Sequence, residues 1–290
     1  FDSYIYAYYS FALTEKYQHY IRGRGFSECV LAYRSDLDGK CNIQFAKEAF
    51  EAVRKKTSSN GHCTSIALDI TGYFDNIDHT ILKSKWCKIL NLQELTKDQY
   101  KIFRSLTKYS YISRDSILKH FKIDLKTASS WNSLLDLVPD NAAGATFNNK
   151  FDLLRKRNLI TVNLPKISQE GEKSFRGIPQ GSPMSALLSN IYLIDFDEKI
   201  FNLSIELDFT YRRYCDDLLI ICDSEKAAQI NEIVLKEIAA YKLVIQTKKT
   251  EIIHFRPTLS GKIRGFNQKK IEKFSPVFTP QNEQQFYKNL

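Results

Sequence analysis

What this sequence lacks narrows what it can be. Its six cysteines (Cys29, Cys41, Cys63, Cys87, Cys215 and Cys222) include no Cys-x-x-Cys pair and no grouping with histidine at zinc-ligand spacing, which argues against a zinc-type site. They read as free thiols, mostly small core residues, in a reducing compartment, so the expected location is the cytoplasm. No apolar run approaches the roughly 20 residues that span a bilayer, and no secretory signal is visible, so no membrane partner is expected. The chain starts at Phe1 rather than Met, and an N-terminal piece is expected to precede it. Acidic residues are in the minority, 33 against 42 Lys and Arg, leaving a net charge of +9.

That charge is unevenly placed. The stretch from Lys242 to Lys273 holds nine Lys and Arg against two Glu, a block that suits a polyanion such as a nucleic-acid backbone. With 290 residues, 16 Tyr and 19 Phe, the chain can bury a sizeable core. Tyr4 to Tyr20 has helical spacing and is expected to pack inward. Asn42 to Lys56 reads as a capped helix with Ile43, Ala46, Phe50 and Val53 on one face. A buried strand from Thr64 ends at Asp69, and a helix follows from about Asp78 to Leu90. Two more helical patterns lie within Lys97 to Lys119. The region from Lys122 to Lys166 is irregular, with loops expected at Ala142 to Ala145 and Asn148-Asn149. A helix is expected from about Met184 to Phe196 and another after Asp223 or Ser224, with Ile230, Ile233, Val234, Ile238 and Tyr241 on its inner face. Strands at Leu243 to Ile245 and Glu251 to Phe255 precede the basic tail. This order predicts an α+β fold with an antiparallel sheet.

The stretch Tyr211 to Cys222 predicts a β-hairpin: a β-prone run from Phe209 to Tyr214, Asp216 and Asp217 at the turn, and an apolar run from Leu218. Carboxylates flanked by hydrophobic strand cost several kcal/mol each unless cations or hydrogen bonds compensate. If the strand ending at Asp69 lies beside this hairpin, Asp69 and Asp216 converge into a hard-oxygen site suited to Mg²⁺. Asp217, next in sequence, is expected in a supporting role. Between the acids lies Arg176-Gly-Ile-Pro-Gln-Gly-Ser-Pro183. Its glycines permit tight backbone, and the helix N-terminus just after it offers N–H groups to a templating strand or a nucleotide.

Together and in this order the pieces resemble the palm of reverse transcriptases. Ala67 to His79 looks like the first palm motif and Arg176 to Asn190 the second. Tyr214-Cys-Asp-Asp217 is similar to the tyrosine-x-Asp-Asp box, and Thr247 to Thr250 resembles the fourth motif. The resemblance implies a right-hand polymerase fold, with palm at 69–78 and 176–255, fingers at 1–68 and a helical insertion at 79–175. The start of a basic thumb or connection is expected at 256–290. It implies two Mg²⁺ ions, for which Mn²⁺ can substitute, held by Asp69, Ile70, Asp216 and Asp217, with the three aspartates catalytic. The implied nucleotide contacts are Ile70, Thr71, Gly72, Tyr73, Phe74, Gln180, Gly181 and Lys249. Phe74 stands where the family's steric gate lies beneath the sugar and excludes a 2′-hydroxyl. Template and product are expected on Arg176, Ser182, Pro183, Tyr214, Lys248, Arg264, Lys269 and Lys270. The family's early finger strands, with their basic triphosphate contacts, would precede Phe1, which leaves Arg34 as a candidate substitute.

Within the family, Asp75-Asn-Ile-Asp-His79 resembles bacterial enzymes: retrons, group II introns and the unknown-group defence enzymes. The roughly hundred residues from His79 to Phe175 favour the last. The expected function is RNA-directed DNA synthesis from dNTPs on a dedicated non-coding RNA, in antiviral defence, with cDNA as product. Retron-type, untemplated or protein-primed synthesis are the enzymatic alternatives, and a degenerate RNA-binding scaffold is the non-enzymatic one.

Overall fold

The computed structural model describes residues 2–123, 147–167, 171 and 173–269. In chain order the elements are α1 (Asp2–Gly23), α2 (Asn42–Asn60), β1 (Cys63–Asp69), α3 (Tyr73–Asn76), α4 (His79–Leu90), α5 (Lys97–Thr107), β2 (Ser110–Ile112) and α6 (Arg114–Phe121). They continue with α7 (Phe147–Lys156), β3 (Ile160–Val162), β4 (Lys166–Ile167), β5 (Lys173–Ser174), α8 (Ser185–Tyr192), α9 (Ile194–Glu206), β6 (Thr210–Tyr214) and β7 (Asp217–Cys222). Last come α10 (Ala227–Ala239), β8 (Glu251–Pro257) and β9 (Ile263–Asn267). The chain divides into two compact units, residues 1–98 with 176–290, and residues 99–175. In the second, β2 pairs antiparallel with β3, and Ile117, Leu118 and Leu154 form a small core.

The first unit is built on a five-stranded antiparallel sheet of order β6-β7-β1-β8-β9. Strand β1 (Cys-Thr-Ser-Ile-Ala-Leu-Asp) is buried almost throughout, as expected of a central strand covered on both faces. Its side chains alternate. Ile66 and Leu68, with Leu218 and Ile220 of β7, are buried on one face, where α9 contacts β6 and α10 contacts β1. Ala67 and Asp69 share the other face with Leu219 and Asp217, and there α2 lies across the strands. Val53, Cys63 and Ile221 form its core, with Ala49, Ala52, Leu219 and Phe255 packed around them.

Several elements depart from expectation. The buried face of α2 runs through Phe45, Ala49, Ala52, Val53 and Thr57, while Ile43 and Phe50 are exposed. The small Ala49 and Ala52 let the helix approach the sheet, and composition alone does not reveal that choice between two apolar stripes. In α1, Leu13, Tyr17 and Ile21 are buried, but Tyr4, Tyr8 and Phe11 are exposed, so its first half does not pack inward. Asn148 and Asn149 lie in helix α7, and Ala142 to Ala145 fall outside the described residues. The helix expected to stop at Phe196 breaks at Leu193 and runs on to Glu206. Leu243 to Ile245 makes only a single bridge, from Ile245 to Ile70.

The basic tail contributes a strand that its charge concealed, β9. Its Gly265 lies opposite Phe255, and a Cβ there would come within 2.8 Å of the Phe255 ring and 2.9 Å of Ile253. Gly265→Ala should therefore cost about 1–3 kcal/mol through overpacking. An unchanged urea midpoint would show that the ring can move aside.

Candidate active site

The register of the central strands places the acids. Asp69 ends β1 directly opposite Asp217, the first residue of β7, so the two carboxylates share a face. The hairpin turn is Cys215-Asp216, so only one of the two acids sits in it. Cys215 has φ +59°, the positive first position of a type II′ turn, which suits the twist of a two-residue hairpin. The Asp216 carbonyl accepts the Ile70 N–H at 3.0 Å, which binds the turn to the end of β1. Partial burial, with the charges of Asp216 and Asp69, holds the Asp217 carboxyl above its usual range.

Lys249 Nζ lies 2.6 Å from Asp69 Oδ1. Its loop is stapled to β1, with Gln246 N–H donating to the Asp69 carbonyl at 2.7 Å and the Thr71 hydroxyl to Gln246 Oε1 at 3.1 Å. A cavity of about 430 Å³ opens between α2 and this sheet face, lined by Phe45, Ala46, Ala67, Asp69, Asp217 and Lys249 among others. Among the described residues no three His, Cys, Asp or Glu side chains converge into a ready-made metal cluster. Asp69 is instead engaged by the ammonium. Three carboxylates against that one cation leave surplus negative charge on hard oxygen donors, which fits Mg²⁺.

The first motif also builds the glycine loop. Asp78 caps α4 by accepting from the N–H groups of Thr80 and Ile81, and its other oxygen takes Lys242 at 2.7 Å. His79 Nε2 lies 2.7 Å from the Gly177 carbonyl, and burial holds the imidazole below its usual pKa. As a neutral ring it donates there. Ile178 N–H donates to the Phe74 carbonyl, and Arg176 bridges Asp78 and reaches Asn76. Gly177 and Gly181 have φ +97° and +88°, backbone that only glycine adopts without strain. Gln180, Gly181 and Pro183 are exposed, and Ser182 is half-buried.

The other expected contacts divide. Tyr73 is buried with its hydroxyl on the Ser189 carbonyl, and the Ile70 side chain is buried too, so these side chains belong to the core. Thr71 and Gly72 are exposed beside Phe74. Phe74 is half-buried, its ring edge-on to Tyr73 at 5.8 Å. Tyr214 is 40% exposed and leans toward Phe45. Lys248, Arg264 and Lys269 are exposed, and Lys270 lies outside the described residues. Arg34 does not serve as a triphosphate contact. Its guanidinium is buried, paired twice with Asp36, and donates to the Ser27 and Val30 carbonyls.

Two supporting residues were not picked out from sequence. Arg213, fully buried in β6, forms a paired contact with Asp197 at 2.6 and 2.8 Å and donates to the Cys215 carbonyl at 3.0 Å and to Asn190 Oδ1 at 3.2 Å. Tyr33, at φ +59°, places its hydroxyl 3.4 Å from Cys215 Sγ. An arginine two positions from Tyr211, and so on the same strand face as that buried ring, was the available signal for the first. The second had none.

By sequence, residues 140–285 match the family described as reverse transcriptase (RNA-dependent DNA polymerase). That is half of the chain, and the chain belongs to this family. The matched span contains the hairpin acids, whereas Asp69 precedes it. Its palm is the mixed helix and antiparallel sheet described above. A search of curated proteins finds no match. Among solved structures, apo telomerase from Candida tropicalis truncated from its C-terminal domain is similar, with TM-score 0.48 and 12% identity over 88% of this chain and 44% of that one. Telomerase from Candida albicans in complex with a TWJ fragment of telomeric RNA gives TM-score 0.47 and 14% identity over 87% and 38%. This chain therefore spans less than half the length of those telomerase chains. Among the described residues, no helix is long and apolar enough to cross a membrane.

Proposed function

We propose that this chain is the catalytic core of an RNA-directed DNA polymerase that extends a 3′-hydroxyl with dNTPs. The observation that carries this is the Asp69–Asp217 register, with Asp216 in the adjoining turn. Asp69, Asp216 and Asp217 would hold the Mg²⁺ ions. When bound, these ions activate the hydroxyl and stabilise the leaving pyrophosphate. The chain's own residues do the positioning. The exposed backbone at Thr71 and Gly72 and the Gln180-Gly181 turn bracket the nucleotide, and Phe74 lies against its sugar. The test is primer extension on an RNA template with Mg²⁺ and dNTPs, and a folded protein that incorporates nothing would overturn the reading.

Phe74→Val should admit NTPs, lowering the dNTP-over-NTP ratio of kcat/KM by about tenfold or more while the acids still function. Some dNTP rate is lost as well, because the missing ring leaves a cavity. An unchanged ratio with activity retained would make Phe74 a packing residue only.

The exposed Lys248, Arg264 and Lys269 bind the template–product backbone in this reading. Replacing several with Gln should flatten the slope of log K against log salt by about 0.7–0.9 for each phosphate that is no longer neutralised. A wild-type slope in that variant would reduce the block to a solvated surface.

The likeness of Asp75 to His79 to bacterial enzymes, together with the long stretch from His79 to Phe175, supports a dedicated non-coding RNA as template and a role against viruses. Sequencing the nucleic acid that copurifies with the protein tests this, and a heterogeneous mixture of cellular RNA would count against it. Assays with and without RNA separate templated from untemplated or protein-primed synthesis. A scaffold has no use for three acids gathered at one end of the central strands, which disfavours the non-enzymatic alternative.

A further inference from the structure

Lys249 pairs with Asp69 at 2.6 Å and also feels the charges of Asp216 and Asp217, yet it is 61% exposed and its partner Asp69 only 17%. Its backbone N–H donates to the Gln246 carbonyl at 3.0 Å, and Gln246 N–H in turn donates to the Asp69 carbonyl at 2.7 Å, which ties this turn to the end of β1. Asp217 lies directly opposite Asp69 on the same face, so a second carboxylate adjoins the pair. An exposed ion pair of this kind is weak, and a long lysine stem releases its partner at little cost.

We infer that Lys249 is the resident counter-cation of the acid cluster: it occupies Asp69 Oδ1 until a divalent ion takes that oxygen, and is then released toward the nucleotide side of the site. This rests on the polymerase reading above and adds a regulatory element to it. The ammonium offsets part of the acids' charge in the absence of metal and, for the same reason, competes with metal entry. Removing it therefore strengthens metal binding even as it removes a positive charge useful to the triphosphate. By reciprocity, a bound divalent ion weakens the hold of Asp69 on Lys249 by the same factor.

The experiment is a Mn²⁺ titration of the full chain without nucleotide, read by the loss of the free-ion electron paramagnetic resonance signal. The proteins compared are wild type, Lys249→Met, Lys249→Arg and Asp69→Asn, with Lys47→Met on the exposed side of α2 as a charge-matched control. Lys249→Met should bind Mn²⁺ about five- to tenfold more tightly, with Lys249→Arg and Lys47→Met near wild type. Its melting temperature should also rise more on adding Mn²⁺ than the wild type's does. Unchanged or weaker binding by Lys249→Met, or equal tightening by Lys47→Met, overturns the inference while leaving the polymerase reading intact. Wild-type binding no stronger than that of Asp69→Asn removes the metal site, and the polymerase reading and the inference fall together.

Discussion

Asp69→Asn and Asp216→Asn should each lower nucleotide incorporation by about 10³-fold or more, equivalent to roughly 4 kcal/mol of transition-state stabilisation. Neither should unfold the protein. Asparagine keeps the shape of aspartate and removes only the charge and the anionic ligand. Asp69→Asn deprives Lys249 of its partner, but that ammonium is exposed and simply returns to water. Asp217→Asn adds a check on sign. The folded protein holds this carboxyl above its ordinary range, so the charged form opposes folding, and stability falls as pH rises through the unfolded and then the folded pKa. The amide should therefore melt slightly higher than wild type at neutral pH, with the advantage vanishing in acid. Primer extension and thermal melts across pH read both effects. Near-normal incorporation by either of the first two variants removes the site assignment.

The largest effect on stability should come from Arg213. Its guanidinium and the Asp197 carboxylate are both wholly buried, and the Tyr211 hydroxyl also donates to that carboxylate at 2.8 Å. Arg213→Met leaves a buried carboxylate with one neutral partner, which should cost about 3–5 kcal/mol. Against the roughly 5–15 kcal/mol typical of a domain, that is a large share of the total and should lower the urea midpoint markedly. Replacing both members, Arg213→Met with Asp197→Leu, should restore most of the loss, because no charge is left stranded. Activity should not return with stability, since the Cys215 carbonyl loses its donor and the turn bearing Asp216 loosens. Urea unfolding of wild type and both variants reads the first part and primer extension the second. A single variant within about 1 kcal/mol of wild type would mean that water reaches Asp197.

The parts of the site legible in sequence were those with short-range signatures. Asp69 follows an apolar β-prone run, Asp216 sits between two such runs, and Gly177 and Gly181 mark a turn that backbone geometry requires. Position across the sheet was not legible. Asp217 looked like the lesser acid because neighbours on a strand face apart, but the turn closes on Cys215-Asp216 and puts Asp217 opposite Asp69. Arg34 stood as a candidate because the family's basic finger contacts would precede Phe1, and only the fold shows that Asp36 pairs with it. Strand β9 was hidden by its charge, since an edge strand keeps water on one side and tolerates lysine and arginine. The inner side of α2 was ambiguous because both of its apolar stripes satisfy a helical period.

The position of β1 at the centre of the sheet bears on how the protein is made. Both of its hydrogen-bonding neighbours, β7 and β8, are encoded far downstream, beginning at Asp217 and Glu251. At roughly 5–20 residues per second, a ribosome needs on the order of ten seconds or more after releasing β1 before its first partner emerges. Throughout that interval this apolar central strand can be covered on one side by α2 but has two open edges. The nascent chain therefore passes through a stage at which it is prone to pair with other copies of itself, and it gains its acid cluster only once the hairpin has been made. A ribosome-bound fragment ending before Asp217 therefore exposes both edges of β1 and lacks the Asp69–Asp217 pair.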